Sequence, residues 1–340
     1  MKRRGLTVGI GFLLMVALTW LVGQAPVPYV QMEPGPTFDT LGKDDDGRDV
    51  IEIDGATTST SAGQLRFVTI GAQSKLTLLQ ALIGWWRDDD AVVPRELIYG
   101  DETDQQVEQR SAEDFATSQS AAETAAQIEL GYPVKITVKD VLKGAPADGK
   151  LMVGDVITAV NGTKIVSAEQ LIAAVRGAPA GTSFTFDVTR SGKPVKVEVA
   201  SKDDGGTPRI GVTSENVPTA PFTIDVPIEN IGGPSAGLML ALGMIDKIKP
   251  EDLTGGKIIA GTGTIDALGN VGPIGGVPQK LVAAKDAGAQ YFFTPEANCA
   301  EAVANAKPDL PLVVVPNLDA ALTALADIRE GRQPKLCPGA

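Results

Sequence analysis

The chain has 340 residues, a formal net charge of −12 and no histidine. The missing imidazole excludes a Ser-His-Asp triad and any histidine-ligated metal site, while the acidic balance argues against nucleic acid and against anionic lipid as a ligand of the acidic part. The length suits two compact domains.

In chain order, Lys2-Arg3-Arg4 precedes an uncharged stretch from Gly5 to Gly23, about the length needed to cross a hydrocarbon core. Positive charge before it and acidic sequence after it place the N-terminus in the cytoplasm and residues 25–340 outside, with Trp20 and Tyr29 at the outer interface. This favours a retained single-pass anchor in the cell membrane, residues 1–25, over a cleaved signal peptide, because Pro26 is unfavourable beside the weak cleavage pattern Gly23-Gln24-Ala25. Over 26–125, Val50–Ile53 and Leu65–Ile70 read as strands, Leu76–Trp86 as a helix, and Gln105 to Ile128 as a polar, alanine-containing helix. Asp44-Asp45-Asp46 and Asp88-Asp89-Asp90 lack the ligand spacing of a calcium loop and read as solvated turns.

Between 126 and 203 the pattern shifts to short strands. Val134, Ile136 and Val138 alternate; Asn161-Gly162 signals a hairpin; Ser167 caps a helix running to Arg176. Phe184, Phe186 and Val188, then Val195, Val197 and Val199, give two more strands around Ser191-Gly192. Gly144-Ala145-Pro146-Ala147, Gly154-Asp155-Val156-Ile157 and Asn161-Gly162 resemble a bacterial PDZ domain. That resemblance implies capture of an extended peptide as an added strand, with Leu130-Gly131-Tyr132-Pro133 as the carboxylate loop. Pro133 has no N–H to donate there.

Ser235 lies in Gly232-Gly233-Pro234-Ser235-Ala236-Gly237, before the apolar run Leu238–Ile245 that reads as a buried helix with Pro234 at its first position. Lys280 follows in Pro273-Ile274-Gly275-Gly276-Val277-Pro278-Gln279-Lys280, in the first turn of a second helix. A lysine replaces histidine as base only if its ammonium pKa falls towards neutrality, through burial or positive potential from helix N-termini. Taken singly, each segment also reads as structure: a capped tight turn and a solvated helix residue. Together they resemble the proteolytic domain of Lon-type serine peptidases over residues 229–325, with Pro273 to Ala284 reproducing that family's lysine run. The resemblance implies Ser235 as nucleophile and Lys280 as general base. It implies Thr262, in Gly261-Thr262-Gly263, as the group that orients the lysine; Gly233, Pro234 and Ala236 are expected as supporting residues, with backbone N–H groups near Ser235 stabilising the oxyanion. Gly232 departs from the family's usual aspartate.

Gly144 to Leu151 has the glycine and lysine spacing of a phosphate loop but ends in Leu151 where magnesium needs Ser or Thr, so no ATP motor is expected. The strands near Tyr291–Thr294 and Leu312–Val315 alternate with helices near Ala297–Ala306 and Leu318–Ile328, an α/β catalytic layer over 204–328 followed by a loose tail, 329–340. Cys299 and Cys337, the sole cysteines, either pair or stay free; spacing leaves both open.

The whole layout resembles the membrane-anchored, PDZ-containing Lon-like peptidases of Gram-positive bacteria. The expected fold is mixed α+β and α/β: a Lon-type protease domain with an inserted PDZ domain behind one transmembrane helix. The expected function is ATP-independent cleavage of exported peptides or unfolded segments, with no cofactor, metal or nucleotide, peptide substrates and the membrane as partners, and oligomerisation possible. A catalytically silent PDZ scaffold and a self-processing protein are the alternatives.

Overall fold

A computed structural model describes the backbone of residues 2–44, 46–132, 134–217, 219–228 and 231–340, and side chains from Val8 onward. The first helix spans Lys2–Gly23. Among the described residues no helix is long and apolar enough to cross a membrane; the side chains of Lys2-Arg3-Arg4 and of the start of the expected span lie outside them.

Two sheets organise the rest. The first has six strands in the order Leu312–Val314, Tyr291–Thr294, Ile258–Gly261, Gln64–Gln73, Tyr29–Asp39 and Ala91–Pro94. Neighbours among the first four strands run parallel; the last two strands are each antiparallel to their neighbour. Successive residues of the parallel strands are apolar because both faces are covered. Phe67, Ile259, Phe293 and Val313 point into one core with the helices Asp104–Glu129, Gly237–Ile248 and Leu318–Arg329. Val68, Ala260, Phe292 and Leu312 point into a second core, under the helices Val277–Asp286 and Cys299–Ala304. The period-2 alternation of side chains thus produces three layers.

The second sheet has the main order Val212–Val217, Lys135–Val141, Val156–Val160, Ser183–Arg190 and Lys193–Ala200. Its core is separate, filled by Phe184, Phe186, Val188, Val197 and Val199 against Leu171 and Val175 of the helix Ala168–Arg176. The register Phe184↔Val199, Phe186↔Val197, Val188↔Val195 puts these six apolar side chains of that hairpin on one face. This sheet takes in residues 135–217, running further along the chain than the 126–203 read from the sequence. Strands from before and after it, Gln64–Gln73 and Ile258–Gly261, pair directly in the first sheet.

The final residues are not a loose tail. Cys337 is disulfide-bonded to Cys299, its N–H donates to Leu312 O, and Lys335 O accepts from Val314 N–H, so the segment is laid along the edge strand of the first sheet. Asp44 in the first acidic cluster accepts from Arg48, as a closed turn does; Asp45 lies outside the described residues. No cluster of metal-ligating side chains occurs among the described residues.

Candidate active site

Ser235 sits where the long loop after the second sheet enters the helix Gly237–Ile248. That helix starts at Gly237, with Ala236 as its cap, so Pro234 and Ser235 lie in the preceding turn rather than in the first helical turn. Pro234 does not occupy the first helical position because the turn is held from outside. Ser111 O accepts from Gly233 N–H (2.8 Å) and the Ser118 hydroxyl donates to Pro234 O (2.8 Å). Both serines belong to the helix Asp104–Glu129 and were invisible as site residues in the sequence. Nothing local marks two serines of a polar, alanine-containing helix as supports for a turn more than a hundred residues away.

The glycine at 232 has a steric cause. A Cβ there would stand 2.7 Å from Ser111 Cβ, so the turn can lie on this helix only without a side chain. Gly237 is equally confined, since its Cβ would meet Ser118 Oγ at 2.6 Å and Ile265 Cγ2 at 2.9 Å.

Thr262 closes the strand Ile258–Gly261, and its hydroxyl donates to Ser235 O at 3.1 Å; Gly263 N–H donates to the same carbonyl at 2.9 Å. Lys280 stands in the first turn of Val277–Asp286, and its Nζ donates to Thr262 Oγ1 at 3.0 Å. Gly276, at φ +69°, turns the chain into that helix in a conformation open to glycine. The structure therefore brings Ser235, Thr262 and Lys280 together: a chain from the Lys280 amine to the Thr262 hydroxyl to the backbone carbonyl of Ser235.

Lys280 is 2% exposed and has no carboxylate partner among the described residues. Burial pushes its pKa down from 10.5 to about 7, because a charge taken out of water without a counter-ion is penalised. Ser235 is half-buried. Among the described residues no hydrogen bond joins its Oγ to Lys280 Nζ, and the amide N–H groups of Ser235 and Ala236 have no acceptor. Those N–H groups, beside the Ser235 hydroxyl in the turn that leads into the helix, are free to donate to an oxyanion.

Three of the four residues read as a carboxylate loop lie away from the groove of the second sheet. Leu130 caps the helix Asp104–Glu129 and packs on the first core, Gly131 follows it, and the Tyr132 ring lies edge-on to Phe222 at 5.3 Å. Pro133 lies outside the described residues. The groove of the second sheet lies between the helix Ala168–Arg176 and the edge strand Val212–Val217, and it holds about 720 Å³. Leu171, Ile172 and Val175 line one wall, Val212 and Ser214 the other, and Arg209-Ile210-Gly211 closes one end. Gly211 is at φ +76° and a Cβ there would fall 2.1 Å from Ala145 Cβ, so only glycine fits. At the far end Asn216 Oδ1 accepts from Ala168 N–H (2.7 Å) and its Nδ2 donates to Glu169 (3.2 Å). The run Arg209-Ile210-Gly211-Val212 was the available signal, an apolar-Gly-apolar turn entering a strand.

Residues 207–326 match the family described as the Lon protease (S16) C-terminal proteolytic domain, and residues 105–200 match the PDZ domain. The chain thus carries a PDZ domain and a Lon-type proteolytic domain. Lon protease of Clostridioides difficile (strain 630) is 38% identical over 93 residues, 26% of this chain and 12% of that protein. Lon protease of Roseiflexus castenholzii is 36% identical over 93 residues, 26% of this chain and 11% of that protein. The matched stretch therefore spans about a tenth of the length of these relatives. Among solved structures, the PDZ domain of the SdrC-like protein from Listeria innocua is 26% identical, covering 24% of this chain and 92% of that one, with a TM-score of 0.23. Val212–Val217 falls in the range of the proteolytic family yet completes the second sheet, whereas Asp104–Glu129, within the PDZ range from its second residue on, packs on the helix Gly237–Ile248.

Proposed function

We propose that the protein is an endopeptidase with a Ser235–Lys280 dyad that needs no ATP. The observation that carries this reading is the buried Lys280, brought to about pKa 7 and tied through Thr262 to the backbone of Ser235. At neutral pH a large share of such lysines is uncharged and able to accept a proton. Ser235 Oγ attacks the scissile carbonyl while Lys280 Nζ takes its proton. The oxyanion forms against the free N–H groups of Ser235 and Ala236. The lysine then delivers the proton to the leaving amine, and the resulting ester is opened by water in the same two steps. Thr262 keeps Nζ within reach and costs it little basicity, because a hydroxyl accepts from an ammonium yet can also face the free amine.

The groove beside Val212–Val217 supports β-strand addition of a peptide, with the free strand edge supplying backbone hydrogen bonds and Leu171 and Val175 an apolar pocket. We place the catalytic part outside the cytoplasmic membrane, tethered by the helix Lys2–Gly23. Its uncharged part, Gly5–Gly23, spans about 29 Å at 1.5 Å per residue, and its described apolar side chains are exposed. The Cys299–Cys337 disulfide supports an oxidising compartment.

The test is degradation of an unstructured protein without ATP by the wild type, Ser235→Ala and Lys280→Ala. Cleavage by the wild type alone is expected. Cleavage that persists in either variant, or none by any form, would overturn the dyad.

A further inference from the structure

The helix Leu78–Trp86 is turned inside out. Its capping box, formed by Thr77 and Gln80, sets its start firmly. Its buried face consists of small residues, Ala81 and Gly84; a Cβ at Gly84 would lie 2.6 Å from Val92 Cγ2, so the helix is pressed onto the strand Ala91–Pro94. The large apolar residues face outwards. Leu79, Leu82, Ile83 and Trp86 follow the i, i+3, i+4, i+7 spacing of one helical stripe, and all are exposed, Trp86 to 90%. In a helix of an ordinary water-soluble surface that stripe would face the core.

Two further features say what covers it. Leu97, 77% exposed, and Ile98 add exposed apolar side chains on the short helix Arg95–Tyr99, which packs on the same strand Ala91–Pro94. The stripe also begins where the N-terminal helix ends. Leu79 Cβ lies 3.5 Å from the position a Cβ would take at Gly23, Leu78 N–H donates to Ala25 O, and the exposed apolar surface of Lys2–Gly23 runs directly into it. The helix itself carries no charged side chain, and Trp85, fixed by a bond from Nε1 to Val92 O and by an edge contact with Tyr29, is a second indole on the same helix.

We infer that this stripe is a membrane seat: Leu79, Leu82, Ile83 and Trp86 lie in the interfacial layer of a bilayer, parallel to its plane, beside the point where the N-terminal helix leaves it. Uncharged apolar and indole side chains favour the boundary between headgroups and acyl chains, and because the helix itself carries no Lys or Arg its seating rests on apolar burial rather than on lipid charge. The seat is part of the catalytic body. In the loop that follows, Asp89 O accepts from Gln279, next to Lys280, and the Asp89 carboxylate pairs with Lys307.

The inference rests on the membrane attachment proposed above, and the three tryptophans separate the two. The full chain is reconstituted in neutral phosphatidylcholine vesicles whose acyl chains are brominated near the headgroup. Trp20→Phe leaves only Trp85 and Trp86; Trp85→Phe with Trp86→Phe leaves only Trp20. In the first protein, emission should be blue-shifted and roughly halved by the brominated lipid, unchanged by salt, and adding Ile83→Glu should relieve the quenching. Unquenched Trp85 and Trp86 alongside quenched Trp20 would overturn the seat and leave the anchor. Quenching of neither would overturn both. Blue-shifted but unquenched emission with cross-linking between copies would assign the stripe to a second copy of the chain and equally overturn the seat.

Discussion

The pKa of Lys280 makes the sharpest demand on experiment. A fall from 10.5 to about 7 corresponds to about 5 kcal/mol of bias towards the neutral amine. At pH 7 roughly half of the molecules then carry the free base, against about one in 3,000 for an ordinary lysine. The assay is kcat/KM on an uncharged, histidine-free unstructured peptide from pH 5 to 9, with the rate rising through about 7 to a plateau and standing at about a tenth of the plateau at pH 6. The same shift appears in stability with a defined sign. The unfolded lysine binds its proton up to 10.5 and the folded one only up to about 7, so stability rises with pH between those values. Below about 7 the buried amine opposes folding in full. Lys280→Met should therefore be inactive yet more stable at pH 7, by up to about 5 kcal/mol, with the gain shrinking towards pH 10 in urea titrations. An activity profile without inflection below pH 9, joined to a Lys280→Met variant no more stable than wild type, would refute the burial argument.

Thr262→Val removes the only hydrogen-bond partner that Lys280 Nζ has among the described residues and should lower kcat by about a hundredfold with little change in KM, measured on the same peptide. Gly211→Ala forces a Cβ against Ala145 and a side chain into φ +76°; it should abolish peptide binding to the groove by fluorescence anisotropy and destabilise the second sheet by about 2 kcal/mol. Reducing Cys299–Cys337 reopens a loop with a separation of 38 residues and should lower unfolding stability by about 4 kcal/mol, read from urea midpoints with and without a reductant.

Much of the site is written locally. A proline-flanked serine before an apolar run, and a lysine two residues after a helix-starting proline, announce their own turns and helices. The missing histidine then narrows the base that Ser235 could use. The period-2 runs of Phe184–Val188 and Val195–Val199 likewise state their hairpin, because pairing across a two-residue turn needs no distant information. What remained hidden depends on register between segments far apart in the chain. Ser111 and Ser118 hold the serine turn only because the helix Asp104–Glu129 packs on the helix Gly237–Ile248, and Gly232 is required only because Ser111 stands there. The groove of the second sheet lies beside Arg209–Ser214, away from Leu130–Tyr132, because a strand edge becomes free only when the order of the whole sheet is set. The cysteines illustrate the same division. Their number was legible, but their pairing was decided by the tail lying along Leu312–Val314, since a disulfide needs two Cβ atoms brought within bonding reach and no local pattern encodes that distance. The acidity available to Lys280 is the clearest case: the residue and its helix are local facts, but its burial, and so its proton, belong to the packed fold.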